Sequence, residues 1–510
     1  MLRDNTANNK RIAKNTLFLY FRSIVVMFIS IFTSRVVLQA LGVDNYGIYN
    51  VVGGFVAMFS ILSSSLVNAS QRFISYEMGK PNPQMSRLFC GTVSVHLLLA
   101  LFVLIVFESF GLWFLNTQLN IAPDRLTAAN WVFQCSVITF CVKLISVPYH
   151  ASIIAHERMD AFAYIGIYEV LAKLGIVYLL WLSNYDKLIV YALLMLTVSI
   201  SMRLIYGLYC TRNFEECHFD FVLDRPLLRE MLGFSGWNFI GSTAGILSTH
   251  GINILINIFF GVALNAARGV VEQANHAINT FVTNFMTAMN PQITKSCAAG
   301  NYSYMNTLMI KGAKFSAICY WLMAVTFFFE ADIILDIWLV EVPAYAPIFF
   351  RLAIIYSIFR ALANTIYTGM LATGNIRIYQ IIMGSLYFTS FLLCYFFFLM
   401  GLGPEFGYIS TIIIAIIQLY IRLVLIAKLL PSFSKKRFFI EAISKSIIVV
   451  LLSSLTVYVL KNFLCFQNRY IELISMFLIS ICCVFIITYI VALSESERHT
   501  LSYYIKSRIK

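Results

Sequence analysis

Apolar residues in this chain come in runs of about 20 separated by short polar stretches, the length at which a helix crosses the hydrocarbon layer of a bilayer. Fourteen such runs are centred near Phe28, Ala57, Ala100, Ile138, just before Ser183, Thr197, Ile246, Asn279, Ala324, Ile358, Phe391, Ile416, Ser454 and Cys482. At about 21 residues each they occupy roughly 290 positions, leaving loops of mostly about five to twenty and no room for a soluble domain. The ten prolines are expected in loops or at helix ends, because lipid cannot replace the donor that proline lacks. The first run, from about Thr16 to Ala40, is too long for a signal-peptide core and lacks a small-residue cleavage site, so it is expected to remain as the first span.

Within some spans the polar positions fall on one face. In the eighth span Asn265, Arg268, Glu272, Asn275, His276, Asn279, Thr283 and Asn290 share one side, while Val271, Ala274, Ile278, Phe281 and Phe285 take the other. The seventh span repeats this with Asn238, Ser242, Gly245, Thr249, Asn253 and Asn257, and Gly233, Gly236, Gly241, Gly245 and Gly251 mark it as the helix best suited to bend. The second span carries a milder version in Asn50, Gly54, Ala57, Ser64 and Asn68. Such stripes either line a wet interior or hold helices together through hydrogen bonds and small-residue packing. The presence of two charges in the eighth favours a wet face.

A faint repeat accompanies them. Leu41-Gly42-Val43, a helix ending at Asn68 and Gly79-Lys80 are echoed by Phe260-Gly261-Val262, a helix ending near Asn290 and Gly300-Asn301. Six spans separate the copies, so the halves would be parallel repeats, as in transporters. The expected fold is all-α and polytopic. An N-terminal six-helix lobe covers 1–215, a second six-helix lobe 216–432, and two further helices with a cytoplasmic tail 433–510.

Composition agrees: 60% of residues are apolar and 12% charged, about half the charge of a soluble domain. The formal net charge is +13, yet Lys and Arg are scattered singly, which is no nucleic-acid footprint. With the N-terminus inside, about 24 of the 37 basic residues fall in cytoplasmic loops and about five outside, placing both termini in the cytoplasm. The eleven cysteines form no C-x-x-C pair and no zinc spacing, and read as small apolar residues.

The remaining bases lie within spans: Arg22, Arg35, Lys143, Lys173, Arg203, Arg351, Arg360 and Arg422, against the embedded acids Glu108, Glu169 and Glu272. A charge at a helix centre costs at least about 2.5 kcal/mol, so this excess asks for an interior anion or for water. Arg22, Lys143, Arg203 and Arg351 lie near helix ends and could snorkel. Arg422 lies deeper, with Thr411 and Gln418 on its face. Lys173 has Glu169 four residues earlier, a spacing that suits structural neutralisation as well as function. Arg360 is central in its span with Asn364 and Tyr367 on its face, opposite Arg351, and Arg35 has no acidic neighbour at helical spacing. Arg35, Arg360, Lys173 and Arg268 are the candidate anion-binding residues. Asn253, Asn257, Asn275, His276 and Asn279 are the candidate cavity lining. Glu272 either takes a coupling Na⁺ or H⁺ or pairs with Arg268.

Neither a P-loop, a Rossmann fingerprint, H-E-x-x-H nor G-x-S-x-G occurs, so no enzyme chemistry and no cofactor or metal site is expected. Gly401-Leu402-Gly403-Pro404-Glu405-Phe406-Gly407 is a turn between two spans. His250 and His276 could titrate in a cavity or serve as hydrogen-bonded structural histidines.

Three segments carry a resemblance: Ser34-Arg35-Val36-Val37-Leu38-Gln39-Ala40-Leu41-Gly42-Val43-Asp44-Asn45-Tyr46-Gly47-Ile48-Tyr49, then Ser70-Gln71-Arg72-Phe73-Ile74-Ser75-Tyr76-Glu77-Met78-Gly79-Lys80, and Ile154-Ala155-His156-Glu157-Arg158-Met159-Asp160-Ala161-Phe162 between the fourth and fifth spans. With the helix count, they make the chain similar to the polysaccharide-transport branch of the multidrug/oligosaccharidyl-lipid/polysaccharide exporter superfamily, the Wzx-type O-antigen flippases. That resemblance implies a MATE-like fold in the bacterial inner membrane. It implies movement of an undecaprenyl-pyrophosphate-linked oligosaccharide, an O-antigen, capsule or exopolysaccharide repeat unit, from the cytoplasmic to the periplasmic leaflet by alternating access. Other polysaccharide assembly proteins are then implied partners, and the last two helices would accommodate the lipid tail. Drug-exporting relatives use acids in the first helix for cation coupling, whereas the first span here has Arg22 and Arg35 and no acid. A cation-coupled multidrug exporter is the second reading, and a net positive cavity opposes it. A polytopic polymerase or ligase is the third, opposed by the longest external loop, about Ala331 to Tyr345, which lacks Arg, Lys and His.

Overall fold

A computed structural model describes residues 2–57, 60–117, 123–218, 220, 225–338, 342–464, 468–495 and 497–498, with some helical side chains, Arg35 among them, outside the description. Among the described residues there is helix and no strand. The long helices are α1 (Leu2–Ala57), α2 (Ser60–Glu77), α3 (Met85–Thr117, with a π-turn at Phe107–Gly111), α4 (Leu126–Ala155), α5 (Met159–Leu182), α6 (Lys187–Asn213) and α7 (Arg225–Phe260). They continue as α8 (Val262–Ala298), α9 (Tyr302–Phe329), α10 (Ala346–Thr373), α11 (Arg377–Leu399), α12 (Phe406–Leu429), α13 (Lys435–Phe463) and α14 (Arg469–Ala492). Eleven of them are long and apolar enough to cross a membrane. The fold is that of an all-α, polytopic membrane protein.

Although α1 is helical from end to end, the chain turns back within it. Asn15 donates to the Glu157 carbonyl just beyond the C-terminus of α4, and Asn45 accepts from Arg125 at the N-terminus of α4. Thirty helical residues rise about 45 Å, which matches the length of α4 between those contacts. Val52, Val56 and Leu66 then pack beside Phe133, Phe140 and Leu144 of α4, and Gly79 returns to the Glu157 end.

Helix boundaries follow local chemistry. Asp186 caps α6 by accepting from the Leu188 and Ile189 amides, and Asn301 and Asn468 cap α9 and α14 through Tyr304 and Tyr470. Gly261 at φ +88° is the one residue that separates α7 from α8. Two expectations are corrected here. Pro148 and Pro291 lie inside α4 and α8, which run on for about two turns beyond them; proline disturbs one turn locally and the helix can resume. The fifth span was expected just before Ser183, whereas α5 ends at Leu182 with Ser183 as its C-cap. The apolar end of α5, Gly175 to Leu182, drew that centre towards the boundary.

The chain divides into two compact units, Met1–Ser242 with Thr294–Ala299, and Thr243–Ile293 with Gly300–Lys510. In the first, α2, α3 and α4 enclose a core of Val103, Phe107, Phe133 and Phe140, and α4 packs along α6. Its turn His156–Arg158 carries Glu157 at φ +60°, with a carboxylate wholly removed from solvent between Arg11 at 2.6 Å and Lys295 at 2.9 Å. In the second, α9 packs on α10, α10 on α12, and α13 and α14 close on α9, where the Trp321 indole donates to Ser453 Oγ at 2.8 Å.

Candidate functional site

Second-unit polarity begins on α8. Arg268 is 4% exposed, its guanidinium lies over the Tyr408 ring at 5.2 Å, and its Nε and Nη1 are buried without an acceptor. The Tyr408 hydroxyl donates to Glu272 Oε1 at 3.0 Å. The expected Arg268–Glu272 pair is thus not direct among the described residues: Tyr408 of α12 stands with both, binding the carboxylate through its hydroxyl and the guanidinium through its ring.

Arg360 on α10 is exposed, yet its electrostatic neighbours are Tyr356, Tyr387, Glu272 and Tyr320, drawn from α8, α9, α10 and α11. Tyr356, one turn earlier, presents its ring centre 5.8 Å from the guanidinium. Arg422 of α12 stands over Tyr379 at 5.8 Å, with Tyr387, Tyr367 and Arg360 in electrostatic reach, and its Nε is buried without an acceptor. Arg268 and Arg360 therefore neighbour Glu272, while Arg422 neighbours Arg360 across shared tyrosines. A buried unpaired guanidinium nitrogen is costly, and the planar fork of arginine fits paired phosphate or carboxylate oxygens.

The first unit repeats this economy with other residues. Glu169 Oε1 accepts from Lys173 at 2.6 Å and has Lys143 and Arg22 as further charge neighbours. Arg22 stacks on Phe162 at 4.3 Å in the space left by Gly166, and Arg203 lies over Tyr149 at 3.9 Å. Arg22 and Arg203, for which snorkelling was expected, rest on aromatic faces inside the unit, and Lys143 has Glu169 as a charge neighbour. Arg351 does reach an end, bonding Asp332 at 2.6 Å and the Phe328 carbonyl at 3.1 Å. The third embedded acid, Glu108, sits in the π-turn of α3 and accepts from Gln134 at 3.0 Å.

The sequence-derived candidates are placed as follows. Arg268 and Arg360 come together around Glu272. Lys173 belongs to the other unit and is bonded to Glu169, and the Arg35 side chain lies outside the described residues. Asn275 does not line a cavity: it is 5% exposed and fully engaged, accepting from Tyr320 at 2.6 Å and donating to Ser357 at 3.0 Å. Asn279 joins the same network at 3.1 Å from Asn275 Oδ1, so this pair ties α8 to α9 and α10. Asn257 and His276 are exposed and Asn253 is half-buried. What sequence reasoning missed is the tyrosine set that neighbours Arg360 and Arg422. The signal was present in the four-residue spacing of Tyr356 and Arg360 and in the polar face of Arg422.

Residues 12–309 match the polysaccharide biosynthesis protein family. No curated protein sequence matches the chain. Among solved structures, an outward-facing multidrug resistance MATE transporter of the MOP superfamily aligns with TM-score 0.68 at 11% identity, covering 82% of this chain and 97% of that one. A MOP superfamily transporter from Pyrococcus furiosus, described as having a binding pocket of reverse polarity that suggests a different function, aligns with TM-score 0.63 at 12% identity over 82% and 96%. The Vibrio cholerae MATE transporter VcmN aligns with TM-score 0.63 at 13% identity over 85% and 99%. At these identities the likeness is one of fold, and the family match extends over more than half the chain. The chain therefore belongs to the polysaccharide biosynthesis protein family and has the fold of the MATE transporters.

Proposed function

We propose that this transporter is a flippase for a lipid-linked oligosaccharide, moving an undecaprenyl-pyrophosphate-linked repeat unit from the cytoplasmic to the periplasmic leaflet of a bacterial inner membrane by alternating access. The observation that carries the reading is the arginine set of the second unit: Arg268 and Arg360 neighbour Glu272, Arg422 neighbours Arg360, and buried guanidinium nitrogens of Arg268 and Arg422 lack acceptors. A pyrophosphate supplies paired oxygens of the geometry that such nitrogens bind. The intervening tyrosines offer ring faces and hydroxyls to sugars.

The alternative, export of organic cations, is opposed by the same charges, because a cationic drug would meet an excess of arginine. A related fold in Pyrococcus furiosus is described with a pocket of reverse polarity, so the architecture accommodates pockets of different sign. The decisive experiment reconstitutes the purified protein in vesicles and follows movement of a polyprenyl-pyrophosphate-linked oligosaccharide between leaflets. Transport is expected for the wild type and a loss of at least tenfold for Arg360→Ala. Wild-type-like transport by a correctly inserted Arg360→Ala protein would remove the assignment.

A further inference from the structure

We infer that the end of the second unit where α9 and α13 begin and α14 stops binds the phosphate group of an anionic membrane lipid such as phosphatidylglycerol. The site lies wholly within that unit, on three helices that pack together, α13 and α14 both against α9. Lys314 of α9 is 4% exposed. Its ammonium donates to the Ala492 carbonyl at 3.0 Å and to Glu497 Oε2 at 2.8 Å, just beyond the C-terminus of α14. Lys311, one turn earlier, reaches Glu497 Oε1 at 3.5 Å. Lys445 of α13 is a charge neighbour of Lys314, and Ser446 beside it donates to the Lys314 carbonyl at 3.5 Å. Arg498 donates to the Ile490 carbonyl, lies 5.6 Å from the Tyr489 ring centre, and has its Nε buried without an acceptor.

Four bases thus stand with the carboxylate of Glu497, and counting the exposed Glu495 as a second acid still leaves an excess of two positive charges. Glu441, four residues before Lys445, gives no offset, being bonded to Arg437 at 2.8 Å. Depth decides what answers this charge. Lys314 and Lys445 lie just before the largely apolar runs 315–329 and 447–460, and Ala492 ends the span of α14, so the cluster stands where hydrocarbon gives way to head groups. On the same stretch of α13, Phe439 and Ile440 are 56% and 48% exposed, an apolar flank for acyl chains beside the bases. The backbone is special at the same place. π-turns, frequent at functional sites, occupy Phe439–Ser444 and Thr488–Ala492; the first stops beside Lys445 and the second at the carbonyl that Lys314 takes. Lys314 therefore fixes the end of α14, while Lys311 and Lys445, both half-buried, keep ammonium protons for phosphate oxygens.

The test is native mass spectrometry of the full-length protein released from detergent micelles that contain equal amounts of phosphatidylglycerol and phosphatidylcholine, which counts the lipids retained. Lipid retention is read without transport, so the outcome bears on this site and not on the flippase reading. Phosphatidylglycerol is expected to be retained about fivefold more than phosphatidylcholine. Lys311→Gln with Lys445→Gln should bring that ratio close to one, and Lys311→Arg with Lys445→Arg should keep it. Lys435→Gln with Lys436→Gln, in the exposed first turn of α13, should leave it within about twofold. A wild-type ratio near one overturns the inference. So does a ratio lost in the Lys435 and Lys436 pair but kept in the Lys311 and Lys445 pair, because unspecific surface charge then does the binding. Displacement of phosphatidylglycerol by millimolar inorganic phosphate, or by an equal amount of polyprenyl pyrophosphate, also overturns it, since the site then serves a soluble anion or the carrier lipid.

Discussion

Arginine and tyrosine meet inside the second unit because each supplies what the other lacks at membrane depth. The ring gives the guanidinium a face, and the hydroxyl gives Glu272 a donor, as Tyr408 does for both Arg268 and Glu272. Position along the helix then separates residues of one type. Arg351 and Arg360 share α10, but Arg351 is held by Asp332 and the Phe328 carbonyl, whereas Arg360 has Tyr356, Tyr387 and Glu272 as its electrostatic neighbours. Arg351→Ala is accordingly expected to leave transport within about twofold while Arg360→Ala abolishes most of it, as read in the same vesicle assay. Outside the membrane, Asp186 makes a second contrast. Burial opposes its ionisation, but hydrogen bonds from Arg125 and from the Leu188 and Ile189 amides outweigh burial and hold its carboxyl below the ordinary value. A carboxyl depressed in the folded state contributes stability above its unfolded pKa and loses it as pH falls through the folded pKa. Asp186→Asn should therefore lower the thermal midpoint at pH 7 by the equivalent of about 1 kcal/mol, with the gap to wild type closing below about pH 4. At this scale the sequence displayed Arg360 and Arg268, because helical spacing puts them beside polar neighbours. It could not display the tyrosines from other helices, or the engagement of Asn275 with Tyr320 and Ser357, because those contacts are made between segments far apart in the chain.

Helices here are set by close approach as much as by hydrophobicity. A Cβ at Gly312 of α9 would collide with Met289 Sδ of α8 and lie 2.7 Å from Thr365 Cγ2 of α10, while one at Gly233 of α7 would meet nothing. Gly312→Val is expected to destabilise the protein by about 1–3 kcal/mol through overpacking, and Gly233→Ala to be neutral or slightly stabilising. Thermal unfolding of the two variants in detergent reads the difference directly. Helix positions were legible wherever an apolar run was bounded by a cap, as at Asp186 and Asn301. They were less so at α1, whose helical backbone continues through the change of direction near Asn45, and at Pro148 and Pro291, where helix persists beyond the residue expected to end it. The polar stripe of α8 was readable as a stripe. Its division of labour was not, since Arg268 and Glu272 meet Tyr408 while Asn275 and Asn279 serve as interhelical ties.

On the scale of the whole molecule, the proposed function divides the net charge of +13 into loop residues that would orient the chain and residues within the spans that would concern its cargo. Orientation predicts that a reporter fluorescent only in the cytoplasm, fused after Lys510, is bright, and that an alkaline phosphatase fused there is inactive. The reverse pattern would invert the topology. The first unit contains one segment made late, Thr294–Ala299, and Lys295 of that segment completes the setting of Glu157. During synthesis Arg11 and Glu157 emerge well before Lys295, which follows Glu157 by 138 residues, on the order of ten seconds at ribosomal speed. In that interval the carboxylate has Arg11 as its cationic partner, and a nascent chain ending before Lys295 holds a half-finished ion cluster in a turn that already carries a non-glycine residue at positive φ. The N-terminal portion made alone is therefore an incomplete object, and its maturation waits for a helix that otherwise belongs to the other unit.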